Sequence, residues 1–283
     1  MLARGRCNGG PARRDFRIMH TSFRIGAVLV LCAAAVSATA RADAAVCEAA
    51  SGAKLLPLVE LFTSEGCDSC PPADRWLTSR FPVPAAAATA SVLAFHVDYW
   101  DRLGWKDRFA TARFTERQHA AMRAGGETFV YTPQVLVQGR DTRNWEGSAA
   151  TDKVAAARTR AARADVKLVI DSASADAITT RLDVRVADQA LWKRAEAWLA
   201  YTDSRLVSDV KAGENRGVRL THDHVVRTLA GPFTLDAQGR LDTAVRVALP
   251  TERGRDATLV AFVQDARNGE VLQTLSLPVC GLL

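Results

Sequence analysis

The first part of the chain alternates short apolar runs with segments of helical periodicity. The apolar runs are typical of buried strands and lie at Leu55–Phe62, Ser91–Val97 and Gln134–Val137. Apolar residues at helical spacing predict helices over Cys67–Ser79, Asp107–Met122 and Thr151–Ala164. Because strands and helices alternate along the chain, this part is predicted to have an α/β fold.

From Asp165 onwards, apolar and polar residues alternate with a period of two, which is typical of half-buried strands. The alternating segments are Lys167–Asp171, Thr179–Val186, Ala197–Tyr201, Arg219–Leu229, Thr243–Leu249, Ala257–Gln264 and Val271–Leu277. Asn268-Gly269 separates the last two segments and is a strong signal for a hairpin turn. We therefore expect an α/β domain at residues 43–164, followed by a mostly antiparallel, sandwich-like β domain at residues 165–283.

Residues 1–42 have the features of an export signal. Basic residues precede the apolar run Ile25–Val36, and the small residues after it suit cleavage after Ala40 or Ala42. Met1 and Met19 are alternative starts. An uncleaved anchor is the less favoured alternative, because the run is short for a bilayer. We expect a periplasmic or secreted mature chain with no stable membrane insertion.

The net charge of +6 is confined to this leader, which contains seven arginines and one acidic residue. The remaining residues are neutral in sum. A neutral body has no general electric field to attract phosphate backbones, so we predict no nucleic-acid partner.

Four cysteines remain after the leader, and an even number in an exported chain implies disulfides. Cys67 and Cys70 form a C-x-x-C motif. Cys47 and Cys280 lie near the two ends of the mature chain. We predict that they pair, since the alternative is two lone exported thiols.

The C-x-x-C motif follows a predicted strand and opens a predicted helix. Unpaired N–H groups and the helix dipole at such a position stabilise a thiolate, which is the reactive form of cysteine. We therefore expect Cys67 to attack and Cys70 to resolve the mixed disulfide.

Two other interpretations of the motif remain open. A metal site would need more ligands than two sulfurs, and the candidates are His96 or the pair His222 and His224. The absence of zinc-ribbon spacing argues against this, and we predict no metal and no cofactor. The second alternative is an inert structural disulfide.

The chain resembles the thioredoxin superfamily and, within it, an exported bacterial family known as domain of unknown function 1223. The motifs that carry this resemblance are VELFTSEGCDSCPPAD, FHVDYWDRLGW, YTPQVLVQG and GENRG…HDHVVR. It covers almost the whole mature chain. It implies a thioredoxin-like domain at residues 43–164, with a mixed sheet flanked by helices.

The resemblance also implies a second site element. Thioredoxin-like proteins place a cis-proline opposite the C-x-x-C motif, and Pro133 matches that position. Thr132 and Tyr131 would then flank the sulfurs, and the backbone beside Thr132 would pair with an extended substrate segment. An ordinary strand-initiating proline is the alternative.

Glu60 matches two roles equally: the buried carboxylate that accepts a proton from the resolving thiol, or a charge at the end of a strand. The sequence also departs from thioredoxin, since Gly66 replaces the usual tryptophan before the motif and Asp68 lies inside it. Pro71 and Pro72 lack N–H donors. If the helix begins only there, Cys67 loses the support of the dipole.

Further candidates follow the second strand. Asp98, Trp100 and Trp105 are candidates for a substrate wall near the sulfurs, and for Trp105 the alternative of a core position is favoured. The alternative for Asp98 is a turn cap. The polar segment from Gly213 to Arg227, which contains Asn215, is hypothesised to fold over the C-x-x-C motif and to limit access.

These observations favour an exported thiol–disulfide oxidoreductase that acts on protein thiols or disulfides together with an unidentified redox partner. The alternatives are a non-catalytic envelope module that binds other proteins and carries a structural disulfide, or a metal-handling protein.

Overall fold

The computed structural model describes residues 47–83 and 89–279. The predicted leader and its cleavage sites lie outside the described residues. Cys280 also lies outside them, so its predicted pairing with the buried Cys47 stays a prediction.

The strands and helices of the first part follow the predicted order. They are β1 (Glu48–Ala50), β2 (Leu58–Thr63), α1 (Pro71–Arg80), β3 (Ser91–His96), α2 (Ala112–Gly125), β4 (Gln134–Val137), β5 (Arg140–Asp141) and α3 (Ala149–Arg158). A 3-10 helix at Asp98–Leu103 follows β3. The strand at Gln134–Val137 is confirmed at both ends.

All three helices begin or end away from the predicted bounds, and two of the differences have a visible cause. α1 begins at Pro71 rather than Cys67, because prolines occupy its first turn, where no N–H partner is needed. α2 begins at Ala112, since the Asp107 carboxylate accepts the N–H of Phe109 and holds that segment in a turn. α3 ends at Arg158, and the chain then forms a bridge from Ala161 to Lys54.

The second part is β-rich, as predicted. Its strands are β6 (Asp165–Ala173), β7 (Ala177–Arg185), β8 (Ala195–Asp203), β9 (Leu206–Asp209), β10 (Arg219–His222), β11 (Val225–Thr234), β12 (Arg240–Ala248), β13 (Thr258–Asp265) and β14 (Val271–Pro278). The segment predicted as one strand at Arg219–Leu229 is divided between β10 and β11. The hairpin turn at Asn268-Gly269 is confirmed, with Gly269 at φ +71°.

Among the described residues, the strands form three sheets. The largest has eight strands in the order β14-β13-β8-β11-β3-β2-β4-β5. In it β3 is parallel to β2 and β11, and the other neighbours are antiparallel. A four-stranded sheet has the order β1-β6-β7-β12, and β9 pairs with β10 in a ribbon.

The eight-stranded sheet joins the two predicted domains. Its strands β2 to β5 come from the first part and β8, β11, β13 and β14 come from the second. One face carries α1 and α3 over the first part and the four-stranded sheet over the second. The other face carries α2, which packs on Phe62, Phe95 and Val226. The described residues therefore form a mixed α/β structure in which both parts share a core.

Candidate functional site

The C-x-x-C motif forms a disulfide between the end of β2 and the start of α1. The Cα atoms of Cys67 and Cys70 lie 5.4 Å apart, and both residues are fully buried. Cys70 is the N-cap of α1, so Cys67 lies outside the helix. This is the case in which Cys67 is expected to lose the support of the helix dipole, and its reactive thiolate stays a prediction.

The Thr132–Pro133 peptide bond is cis and lies beside the disulfide. The Thr132 hydroxyl is 3.4 Å from Cys67 Sγ, and Trp100 donates its indole N–H to the same hydroxyl at 2.8 Å. The two predicted site elements are therefore brought together. Trp100 also packs closely on the loop before the motif, because a Cβ atom at Gly66 would lie 3.1 Å from that of Trp100.

The segment from Gly213 to His224, called the strap below, closes over the motif. Asn215 is buried and donates its side-chain amide to the carbonyl oxygens of Glu65 (2.9 Å) and Cys67 (2.8 Å). Glu214 accepts the backbone N–H of Asp68 at 3.2 Å. The predicted segment Gly213–Arg227 therefore contacts the C-x-x-C loop through Asn215 and Glu214, and its limiting of access to the sulfurs stays a prediction.

Five buried titratable side chains lie where the strap meets the motif and α1. Asp107 is central: it lies 2.6 Å from His96 Nδ1 and accepts the backbone N–H of Glu65 at 2.9 Å. His222 of the strap has its Nε2 atom 3.4 Å from Glu65 and its Nδ1 atom 4.0 Å from Asp74. The rings of His96 and His222 are 5.0 Å apart.

Charges within this cluster decide the protonation of its members. Burial acts to lower the pKa of His96, but the Asp107 carboxylate outweighs it and raises that pKa above its usual value. Burial acts to raise the pKa of Asp107 and of Glu65, but His96 and His222 respectively hold each pKa below its usual value. Burial raises the pKa of Asp74, against the opposing charge of His222. The cluster therefore favours an ion pair between His96 and Asp107.

Glu60 is not near this cluster. It lies on the face of β2 that carries Leu58 and Phe62 toward α2, whereas α1 packs on the opposite face. Its Oε1 atom accepts two hydrogen bonds from Arg117, at 2.8 and 3.1 Å. The placement removes the geometric basis for a proton-acceptor role toward Cys70.

Asp98 and Tyr131 fix neighbouring elements. Asp98 accepts the hydroxyl of Thr115 at 2.6 Å and so ties the 3-10 helix to α2. Tyr131 donates its hydroxyl to Asp141 at 2.8 Å, and burial together with that carboxylate raises the pKa of Tyr131. Asp98 therefore holds the 3-10 helix to α2, whereas Trp100 contacts Thr132.

The histidines considered for a metal site are only partly brought together. His96 and His222 are neighbours, but His224 lies apart and its Nε2 atom is 2.7 Å from the carbonyl oxygen of Phe81. In the described part of the chain, no three histidine, cysteine or acidic side chains converge in a way that could hold a metal ion.

Sequence reasoning missed Asp107, Glu65 and Asp74. The helix predicted over Asp107–Met122 begins with Asp107, and Glu65 and Asp74 lie in the motif VELFTSEGCDSCPPAD, in which the sequence gives them no role of their own. Each is a polar residue of a kind that is usually exposed, so only its burial in the fold distinguishes it as part of a site. Trp105, expected in the core, instead lies half-buried beneath the strap and donates its indole N–H to Glu65 at 2.7 Å.

Comparison with known proteins identifies the family. The model of the family described as "Protein of unknown function (DUF1223)" matches residues 58–264. The chain belongs to the DUF1223 family. The matched range contains both cysteines of the motif, the Thr132–Pro133 bond and the whole strap, so the site lies within the DUF1223 region.

Two solved structures are similar to this DUF1223 protein. The crystal structure of a structural-genomics target from Agrobacterium tumefaciens has 25% identity and a TM-score of 0.55, covering 80% of this chain and 96% of its own. HBP35 of Porphyromonas gingivalis has 16% identity and a TM-score of 0.59, covering 80% of this chain and 76% of its own, and shows the fold alone. No curated protein matches the chain.

None of the helices in residues 47–83 and 89–279 is long and apolar enough to cross a membrane.

Proposed function

We propose that this DUF1223 protein is a thiol–disulfide exchange protein whose reacting pair is Cys67–Cys70. The observation that carries the proposal is the contact between Cys67 Sγ and the Thr132 hydroxyl, beside the cis Thr132–Pro133 bond. This arrangement puts a backbone edge for an extended substrate next to a disulfide.

The topology around the disulfide supports a thioredoxin-like core. β2, α1 and β3 form a parallel unit, β4 is antiparallel to β2, and α3 follows β5. The sheet order β3-β2-β4-β5 places the motif at the end of a central strand. The sequence resemblance implies the same placement, because exchange proteins of the thioredoxin superfamily carry their C-x-x-C motif at the end of a central strand.

The exchange reaction needs no cofactor. A partner thiolate attacks Cys67 Sγ, the Cys67–Cys70 bond breaks, and Cys70 leaves as a thiolate that takes up a proton. A second partner thiolate then attacks the partner's own sulfur in the mixed disulfide and releases Cys67. The partner is oxidised to a disulfide and the motif is reduced; the reverse sequence reduces a partner disulfide.

Access is the step that the strap controls. Both cysteines are fully buried, and Asn215 of the strap hydrogen-bonds the carbonyl oxygens on either side of Gly66. Attack on Cys67 therefore requires the strap to move. We infer that a partner docks at the Thr132 edge and displaces the strap.

We place the protein in the periplasm or outside the cell. The proposal rests on the basic, apolar and small-residue pattern of residues 1–42. The partners are then exported proteins with thiols or disulfides, together with a redox protein that recycles the motif.

Equilibration in glutathione buffers tests the proposal. The folded protein is held at a series of potentials, its thiols are alkylated, and the Cys67–Cys70 peptide is quantified by mass spectrometry. A midpoint between about −120 and about −270 mV is expected for an exchanging pair. A pair that stays oxidised at all of these potentials contradicts it, because structural disulfides lie below about −300 mV.

A strap variant tests the access step separately. Asn215→Ala removes two hydrogen bonds of about 1 kcal/mol each, so reduction by a protein dithiol should accelerate roughly 30-fold. The control is Arg216→Ala, which changes an exposed neighbour on the same strap. Equal reduction rates in the two variants would contradict control of access by the strap.

The second candidate is an envelope module that binds other proteins and carries a permanent disulfide. The complete burial of both cysteines favours it. The glutathione experiment separates the two, because only this candidate expects the pair to stay oxidised.

A further inference from the structure

A cleft of about 590 Å³ lies between α2 and the sheet face opposite α1. Its walls come from α2 on one side and from β8, β11 and β13 on the other. α2 packs on this face where β2 and β3 lie, and the cleft opens where the face continues over strands of the second part. The volume is within the range of sites for small molecules.

A buried ion pair with an unsatisfied atom lines this cleft. The side chain of Glu60 is 1% exposed and that of Arg117 is 5% exposed. Arg117 donates two hydrogen bonds to Oε1 of Glu60, whereas Oε2 has no hydrogen-bond partner among the described residues. A buried carboxylate oxygen without a donor loses the hydrogen bonds that water would give it, which is unfavourable.

Aromatic surface adjoins the Arg117 guanidinium, which is hydrogen-bonded to the same carboxylate. The Arg117 guanidinium lies 5.3 Å from the ring centre of Trp198 and 5.0 Å from that of Phe262. Trp198 is half-buried and stacks on Phe262. Leu229 completes an apolar part of the lining. The cleft therefore offers a flat apolar surface beside an acceptor that lacks a donor.

The charge inside the cleft favours a cation. The Arg117 charge is already neutralised by Glu60, and Glu196 adds a second carboxylate to the lining. Arg113 and Arg123 also line the cleft, but both are exposed at its rim, where solvent and salt screen them. An anion in the interior would meet uncompensated negative charge.

We propose that this cleft binds a small organic cation, a primary ammonium or guanidinium group attached to a flat apolar body. The cationic N–H donates to Glu60 Oε2, and the apolar body packs against Trp198 and Leu229. The site is independent of the Cys67–Cys70 pair, so this proposal and the proposed redox function succeed or fail separately.

Calorimetric titration with two matched probes tests the proposal. Tyramine and 3-(4-hydroxyphenyl)propionate share the ring and the two-carbon chain but carry opposite charges. The folded wild-type protein should bind tyramine at least about tenfold more tightly than the propionate, a difference of about 1.4 kcal/mol. Absence of tyramine binding at millimolar concentration, or equal binding of both probes, overturns the proposal.

Cleft variants locate the binding. Ala120 is exposed on α2 and lines the cleft, so Ala120→Trp should fill the cleft without disturbing the core and reduce tyramine affinity by at least about tenfold. His119→Trp is the control, because His119 is exposed on the same helix and lies outside the cleft lining. Thermal unfolding verifies that both variants fold. Wild-type tyramine affinity in Ala120→Trp overturns the proposed location.

Discussion

At the scale of single residues, Asp107 links the disulfide loop to the acid–base cluster. Its Oδ2 atom lies 2.6 Å from His96 and accepts the Glu65 N–H, while Oδ1 accepts the N–H of Phe109. One carboxylate thus fixes both the loop that enters the C-x-x-C motif and the turn before α2. Asp107 is therefore a positioning residue: it fixes the backbone that leads into the motif, and its recorded hydrogen bonds do not include the sulfurs.

We predict that Asp107→Asn lowers the free energy of unfolding by about 3 kcal/mol, since it leaves a buried partner uncompensated. Because the pKa of His96 is raised from 6.5, its stabilising contribution is complete below pH 6.5 and is lost as the pH rises through the folded-state value. Because the pKa of Asp107 is lowered from 3.8, its contribution is present above pH 3.8 and is lost as the pH falls through the folded-state value.

The difference between wild type and variant should therefore be largest near pH 5 and smaller at pH 9. Urea unfolding at both pH values measures it. Asp171→Asn, an exposed change on β6, serves as the control and should leave stability nearly unchanged. Wild-type stability of Asp107→Asn at pH 5 would contradict the role assigned to the pair.

At the scale of elements, two turns from opposite ends of the eight-stranded sheet are in close contact. Gly139 in the β4–β5 turn lies against Gly269 in the β13–β14 turn, and a Cβ atom at Gly139 would be only 2.1 Å from the Gly269 carbonyl oxygen. Gly139 also has φ +70°. The approach is possible only without a side chain, and it places the Gly139 turn at the end of the α2 cleft.

Gly139→Ala should lower the free energy of unfolding by about 3 kcal/mol, because strain in the left-handed region adds to a clash with backbone. Gly126→Ala is the matched variant, since Gly126 has φ +82° but no atom within 4 Å of the added Cβ. It should lose only about 1 kcal/mol. Chemical unfolding of both variants gives the comparison, and losses of equal size would exclude close packing of the two turns.

At the scale of the whole molecule, the eight-stranded sheet makes the two sequence parts interdependent. β11 of the second part pairs with β3 of the first, at Val225 and Ala94. The core beneath α2 combines Phe62 and Phe95 of the first part with Phe262 of the second. If either part unfolded by itself, the apolar side chains of the other part would lose their contacts and be exposed to water, which is unfavourable.

We therefore predict a single cooperative unfolding transition. Far-ultraviolet circular dichroism reports the strands, and tryptophan fluorescence reports side chains in both parts. Under conditions that keep the disulfides intact, the two urea curves should coincide. Separate transitions for the two signals would show that the parts unfold independently.

The local pattern was sufficient to predict most elements. Period-two alternation placed β6, β7 and β12 to β14 within a few residues, and the apolar runs placed β2, β3 and β4. These signals are local, since a strand buried on one or both faces shows its environment in its own residues. The break at Asp223 and His224 was not predicted, because it depends on contacts of those side chains with distant segments, including Thr78 and Phe81.

The amino-acid sequence alone was sufficient for three features: a C-x-x-C motif between a strand and a helix, a β-rich second part, and a net charge of zero for the residues after the predicted leader. The tertiary structure decided the rest: that strands of both parts share one sheet, that the strap hydrogen-bonds the C-x-x-C loop, and that Glu60 faces the α2 cleft. The physical reason is that strand pairing and polar burial depend on partners far apart in the chain. No local pattern specifies that Asn215 will satisfy the carbonyl oxygen of Cys67.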